Sequence, residues 1–201
     1  MKIFFLLLSL TSIMFGFNIN ESLLKVHATL VPKISLMDYQ FKDKLKNNAI
    51  TIAIMYKDSE YKDALSLKKK IDSRYKDGIK SYGVSSKIVP YRDIESTKVN
   101  IYYLFPARTA DIKRAIKQAK TNSALTFSYL KDDLRHGVMI SLNISKKIKP
   151  ILNLNAIKTN NIAFRPVLID ISNIYMQETT QVIDNLKIRG FNDYDFIIVV
   201  V

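Results

Sequence analysis

ITIAIMYKDSEYKDALSLKKKIDSRYKDG (Ile50–Gly78) changes structural period halfway along its length. Its first seven residues, ITIAIMY, form a continuous apolar, β-branched run, the pattern of a strand covered on both faces. From Tyr61 the residues Ala64, Leu65, Lys68, Ile71 and Tyr75 follow a 3.6-residue spacing and predict an amphipathic helix, with Ser59 placed to cap it and Gly78 to stop it. The same alternation continues outward. Val84–Val89 predicts a second strand and VNIYYLF (Val99–Phe105) a third, ended by Pro106. Thr109 then opens a helix with Ile112, Ala115, Ile116 and Ala119 inward and Lys113, Arg114, Lys117 and Lys120 outward, and Ala124–Tyr129 predicts a fourth strand. Upstream, Leu23, His27, Leu30 and Ile34 define one stripe of a first helix bent near Pro32. Strands alternating with helices of this length imply βαβ units and a largely parallel sheet.

The rhythm breaks at His136. Val138, Ile140, Leu142 and Ile144 alternate with Met139, Ser141 and Asn143, and after Ser145-Lys146 the residues Ile148, Leu152 and Leu154 alternate with Lys149, Ile151 and Asn153, which predicts a β-hairpin. Pro150 cannot donate a ladder hydrogen bond, so the returning strand is expected at an edge. If only one hairpin face meets the core, the more regular series turns inward. Met139 and Ile151 are then outward, with Leu154 near the exit loop, as candidate partner-binding residues. The competing expectation is that the following helix or the C-terminal tail covers this face. That helix is expected along Phe164, Val167, Leu168, Ile171 and Tyr175 with Pro166 in its first turn; an amphipathic helix over Gln177–Arg189, closed by Gly190, and a buried strand DFIIVVV (Asp195–Val201) complete the reading.

With 201 residues, 48% hydrophobic and 24% charged, the chain is expected to form one domain. MKIFFLLLSLTSIMFG (Met1–Gly16) has the order of a secretory signal: Lys2, then apolar residues from Ile3 interrupted by Ser9, Thr11 and Ser12. A signal peptide over 1–18 and export are expected. The absence of cysteine removes a disulfide framework and a lipid-attachment cysteine. Formal charge is +13, or +12 once Lys2 leaves with the signal. Export argues against nucleic acid, and the basic residues are scattered; the run Lys68-Lys69-Lys70 reads as a solvated helix face. The charge still motivates an alternative function, a periplasmic binding module for an anionic small molecule or envelope polymer, and offers contact with an anionic membrane surface.

No set of residues for catalysis is legible. His27 lies on an apolar stripe, where a core histidine is the expectation, and His136 opens the hairpin on another element. Asp132-Asp133 are adjacent carboxylates in a loop, whose side chains do not converge on one substrate. The five glycines form no phosphate-cradling loop. No catalytic residue, metal or cofactor is assigned, and the chain is not expected to be an enzyme.

The order of elements and the local spelling resemble the YfiR-like periplasmic regulators. The resemblance runs through ESLLKVHATLVPKI (Glu21–Ile34), ITIAIMY, VNIYYLFP and, most fully, ALTFSYLKDDLRHGVMISLNISKKIKPILNLNAIKTNNIAFRPVLIDIS (Ala124–Ser172). His136-Gly137 stands where the family usually has two glycines, and Leu152-Asn153-Leu154 supplies its aliphatic-Asn step before a small-residue helix. The resemblance implies an α/β domain over 19–175, with a mainly parallel sheet, flanking helices and a C-terminal β-hairpin, Rossmann-like without a nucleotide loop; the tail over 176–201 lies outside the resemblance and is expected to form a helix-strand extension of unknown role. It also implies a regulator without chemistry of its own, which binds and represses the periplasmic part of an inner-membrane signalling protein, a diguanylate cyclase or sensor kinase, and which forms homodimers.

Overall fold

The computed structural model describes residues 19–45, 47–144 and 147–176. The expected leader over 1–18, the Ser145-Lys146 turn, the helix Gln177–Arg189 and the strand Asp195–Val201 lie outside the described residues. Among the described residues seven strands form one sheet: β1 (Ala49–Tyr56), β2 (Gly83–Pro90), β3 (Ile101–Leu104), β4 (Leu125–Ser128), β5 (Ile140–Ile144), β6 (Ile148–Leu152) and β7 (Asn173–Ile174), in the order β2-β1-β3-β4-β5-β6-β7. Pairing is parallel from β2 to β5, antiparallel between β5 and β6, and parallel between β6 and β7. Among the described residues five α-helices accompany it: α1 (Glu21–Ser35), α2 (Tyr61–Arg74), α3 (Thr109–Thr121), α4 (Leu154–Thr159) and α5 (Pro166–Ile171).

The pleat divides the apolar residues between two cores. Ile50, Ile52 and Ile54 of β1, Ile101 and Tyr103 of β3, and Leu125 and Phe127 of β4 pack on one side with Leu24 and Val31 of α1, Leu67 and Ile71 of α2, and Leu168 of α5. Ala53 and Met55, Tyr102 and Leu104 point the other way, onto Ile112, Ala115 and Ala119 of α3 and onto Tyr91, Ile94 and Leu134 from short 3-10 turns. The strand order explains why α2 and α3 lie on opposite faces. From β1 to β2 the chain steps one way across the sheet, from β3 to β4 it steps the other way, and right-handed crossovers in opposite directions place their helices on opposite sides.

The expected α/β architecture is present, and its departures have local causes. In α1 the inward stripe is Leu24, His27, Ala28, Val31 and Ile34, whereas Leu23 and Leu30 are half-buried on its flank. The helix is apolar over a wide arc, so the rotation is settled by what packs on it. Asn20 caps α1, its Oδ1 accepting from the Ser22 N–H at 2.8 Å. Ser59 does not cap α2: its hydroxyl donates to Glu60 Oε1, and a 3-10 turn (Asp58–Glu60) leads into the helix instead. Thr109 is the first residue of α3, not its cap.

The expected helix through Tyr175 is shorter. Phe164 forms an isolated bridge with Asp38, α5 ends at Ile171, and Asn173 and Ile174 pair with Ile151 and Leu152 of β6. Extending the helix would have left the outer backbone groups of β6 without sheet partners; extended Ser172 turns the chain onto them instead. Pro150 lies beyond the reach of β7, at the portion of β6 that borders the sheet.

Ile54 is fully buried and Phe127 is 1% exposed, in neighbouring parts of one core. Truncating either to Ala is expected to cost about 2–5 kcal/mol through lost transfer free energy and a residual cavity. Urea denaturation checks it, and a loss below about 1 kcal/mol at both sites would contradict the packing described.

Candidate partner-binding surface

Beyond β5 the chain builds the far end of the sheet from short elements. Gly137 adopts φ +103°, a left-handed conformation that closes the 3-10 turn Lys131–His136 and aims the chain into β5. At the end of β6, Asn153 is buried and works in two directions: its Oδ1 accepts from the Ala156 N–H at 3.0 Å, capping α4, and its Nδ2 donates to the Leu134 carbonyl at 2.8 Å. That is the physical content of the Leu152-Asn153-Leu154 step. The segment after α4 is fastened to the chain following α1, where Arg165 N–H donates to the Met37 carbonyl, Tyr39 N–H donates to the Ala163 carbonyl, and the Arg165 guanidinium lies 5.5 Å from the Tyr39 ring centre.

These fastenings leave apolar side chains exposed around α5. In α5, Leu168 is the buried anchor, while Val167 and Ile171, one turn apart, are each 52% exposed. Leu154 and Ile169 share a groove of about 440 Å³ between α4 and α5, with Ile157, Ile162 and Phe164 also on its walls. Ile174 on β7 and Met176 just beyond it are exposed too. Exposed apolar side chains gathered at one end of a molecule are the usual mark of an interaction site.

Of the three residues expected to face a partner, this surface includes Leu154, 39% exposed. Ile151 is half-buried and packs against the α3-side core. The expected exposure of Met139 is corrected: it is 1% exposed and belongs to the core beneath α1 and α2. Its N–H donates to Thr126 Oγ1 and its carbonyl accepts from the Asn153 N–H, both at 2.9 Å. Met139 stands just before β5, where the strand alternation has not yet begun, and turns into the same core as Ile140 and Leu142, whereas Ile151 lies on the opposite, α3-side face, which is covered too. The exposed apolar residues of the hairpin are instead Ile144 and Ile148, paired at its tip. The exposed face of α5 was missed because Val167 and Ile171 read as members of a core stripe.

The polar candidates have structural roles. Asp133 is buried and accepts from the Ser128 hydroxyl at 2.5 Å; burial raises its pKa while that hydrogen bond opposes the rise. Asp132 is exposed, so the two carboxylates diverge. His136 is half-buried and receives a hydrogen bond from Arg135. His27 is buried between Tyr103 and Tyr129, with Nδ1 2.9 Å from the Tyr103 hydroxyl and Nε2 without a partner. Desolvation lowers its pKa to about 4, so the imidazole is neutral within the fold. Among the described residues, no group of three or more His, Cys, Asp or Glu is arranged to hold a metal ion.

The YfiR/HmsC-like family matches residues 34–173, from the last turn of α1 to β7. The match begins at Ile34, so most of α1 lies outside it. No curated protein matches the chain. Among solved structures, a conserved domain protein from Vibrio cholerae O1 biovar eltor is similar, with TM-score 0.54, 14% identity, and coverage of 75% of this chain and 59% of that one. The ABC domain from Streptococcus pneumonia, in complex with L-Trp, has TM-score 0.52, 10% identity, and coverage of 76% and 60%. The chain thus covers less than two thirds of either molecule, and at these identities the likeness is one of fold.

Two outcomes follow from this geometry. Met139→Asp should cost about 3 kcal/mol or more by burying a carboxylate among apolar groups, and Leu154→Asp less than about 1 kcal/mol; urea denaturation of both variants measures the contrast, and equal losses would contradict it. For His27, the unfolded chain takes up a proton near pH 6.5 and the folded chain only near pH 4. Between those values the unfolded state binds more protons, so stability falls as pH falls, by up to about 1.4 kcal/mol per unit. His27→Leu should remove that component of the slope, measured as the wild-type-minus-variant difference across the window; a pH-independent difference would overturn the assignment.

Proposed function

The chain belongs to the YfiR/HmsC-like family, and from that premise we propose that it is an exported regulator that binds the periplasmic part of an inner-membrane signalling protein, a diguanylate cyclase or sensor kinase, and holds it inactive. The observation that carries the reading to particular residues is the set of exposed aliphatic side chains around α5: Val167 and Ile171 on one side of the helix, Leu154 and Ile169 at the groove with α4, and Ile174 on β7. A regulator without chemistry of its own acts through contact area, and aliphatic side chains around a groove provide area that is desolvated only when a partner arrives. Among the described residues no helix is long and apolar enough to cross a membrane. In this reading the signalling partner supplies the membrane anchor, and each copy of the chain presents its α5 face to it, whether alone or within a homodimer.

The experiment is a cellular one. Deleting the gene should raise the cyclic-di-GMP level by derepressing a cyclase, the wild-type chain should restore it, and the double variant Val167→Asp with Ile171→Asp should accumulate as a folded protein yet fail to restore it. An unchanged cyclic-di-GMP level on deletion would remove the cyclase reading. A double variant that is degraded would show that another segment, such as the tail after Met176, covers this face, and that the partner surface lies elsewhere.

A further inference from the structure

Helices α1 and α2 pack side by side, and between their outer edges lies an open cleft of about 690 Å³. Its composition follows from helical spacing. Lys25, Ala28 and Thr29 recur on one face of α1, and Ser66, Lys69, Lys70, Ser73 and Arg74 on the facing stripe of α2. The buried methyl of Ala28 lets the helices approach, while the long basic side chains rise on both sides. The fold divides the lysine run that the sequence shows as one charged patch. Lys68 is turned away and pairs with Asp72, whereas Lys69 and Lys70 line the cleft.

Four cations meet one carboxylate there. Glu21, at the start of α1, accepts from Ser66 Oγ at 2.7 Å and from Lys70 Nζ at 2.6 Å. Among the described residues Lys25, Lys69 and Arg74 form no ion pair, and Arg74 lies beside the neutral Tyr75 phenol. Glu21 therefore occupies one end of the cleft and shows what that end accepts: an oxygen anion held by a lysine and a hydroxyl. The remaining three positive charges converge across a gap that no acidic side chain closes. From Ser66 to Arg74 the α2 wall is about 12 Å long at 1.5 Å rise per residue, more than one phosphate or carboxylate spans.

We propose that this cleft binds an elongated anion carrying two or more phosphate groups, held between Lys25 of α1 and Lys69 and Arg74 of α2. Two phosphate groups together carry about −3 to −4, at or just above the +3 of Lys25, Lys69 and Arg74. The planar guanidinium of Arg74 can grip two phosphate oxygens at once, and the lysines act as point charges beside it. The Ser73 hydroxyl, exposed on the same wall, adds a neutral donor. The inference does not depend on the partner-binding reading, because α2 packs on β1 and β2 whereas α5 packs on β6.

The test uses the full chain and inorganic tripolyphosphate in isothermal titration at low salt. Tripolyphosphate should bind, and inorganic monophosphate should bind at least about tenfold more weakly. The double variant Lys69→Gln with Arg74→Gln should weaken tripolyphosphate binding by about tenfold or more, and the control Lys113→Gln with Lys117→Gln on α3, which removes the same charge, by less than about twofold. Equal weakening by both doubles would overturn the site in favour of the long-range field of a basic protein, and so would a failure of tripolyphosphate to bind. Phosphatidylglycerol vesicles give the second arm. Vesicle binding that tripolyphosphate displaces and the α2 double abolishes identifies a lipid headgroup as the source of the phosphate, and tripolyphosphate binding without vesicle binding identifies a free phosphate compound.

Discussion

Strand β1 has neither an edge nor a face left to solvent, and the rest of the fold is arranged to make that possible. It pairs along its whole length with β2 and, from Ile52 to Met55, with β3. Where β3 has not yet begun, Asn100 completes the ladder: its Oδ1 accepts from the Thr51 N–H at 3.0 Å, and its Nδ2 donates to the Lys44 carbonyl at 2.9 Å. Each buried backbone group on β1 needs such a partner, because an unpaired one costs as much as a lost hydrogen bond. Ile52 and Ile54 on one face, and Ala53 and Met55 on the other, then require a helical layer on each side. The two-sided sheet thus follows from one seven-residue apolar run.

The polar groups admitted to this interior are few and fastened. His27 fills space between two tyrosines and stays neutral there, so its contribution to the fold is tied to pH. Asp38, also buried, is balanced by Lys44 at 2.8 Å. Asn153 joins α4 to the turn before β5, and Asp133 with Ser128 ties that turn to β4. The His27 and Asn153 contacts join elements distant in the chain, while the Asp38–Lys44 and Asp133–Ser128 contacts close local turns.

The two surfaces with functional character lie over different halves of the sheet. Apolar α5 borders β6, at the end closed by the two-residue strand β7, while the basic cleft lies above β1 and β2. An apolar face desolvates on contact, and a basic cleft attracts over distance and weakens with salt. The separation allows a protein partner and an anion to be bound without competing for the same residues.

The strands, the longer helices and the hairpin were legible in the sequence because their patterns are local: an unbroken apolar run for β1, a two-residue period for β5, and 3.6 for α2 and α3. The register that pairs Ile144 with Ile148 was not, because the turn carries no Asn-Gly signal that would fix it. The sequence did not determine coverage. Met139 and Leu154 are both apolar residues flanking the hairpin strands, yet one is sealed in the core with Ile140 and Leu142 and the other is open, because the strand period stops at the strand's end and does not say which way the next side chain turns. The choice between the Leu23 and Leu24 stripes of α1, the capture of Asn173 and Ile174 by the outer edge of β6, and the meeting of Lys25 with Lys69 across forty-odd residues are likewise tertiary. Each depends on a neighbour remote in sequence, and a one-dimensional pattern holds no record of which remote neighbour arrives.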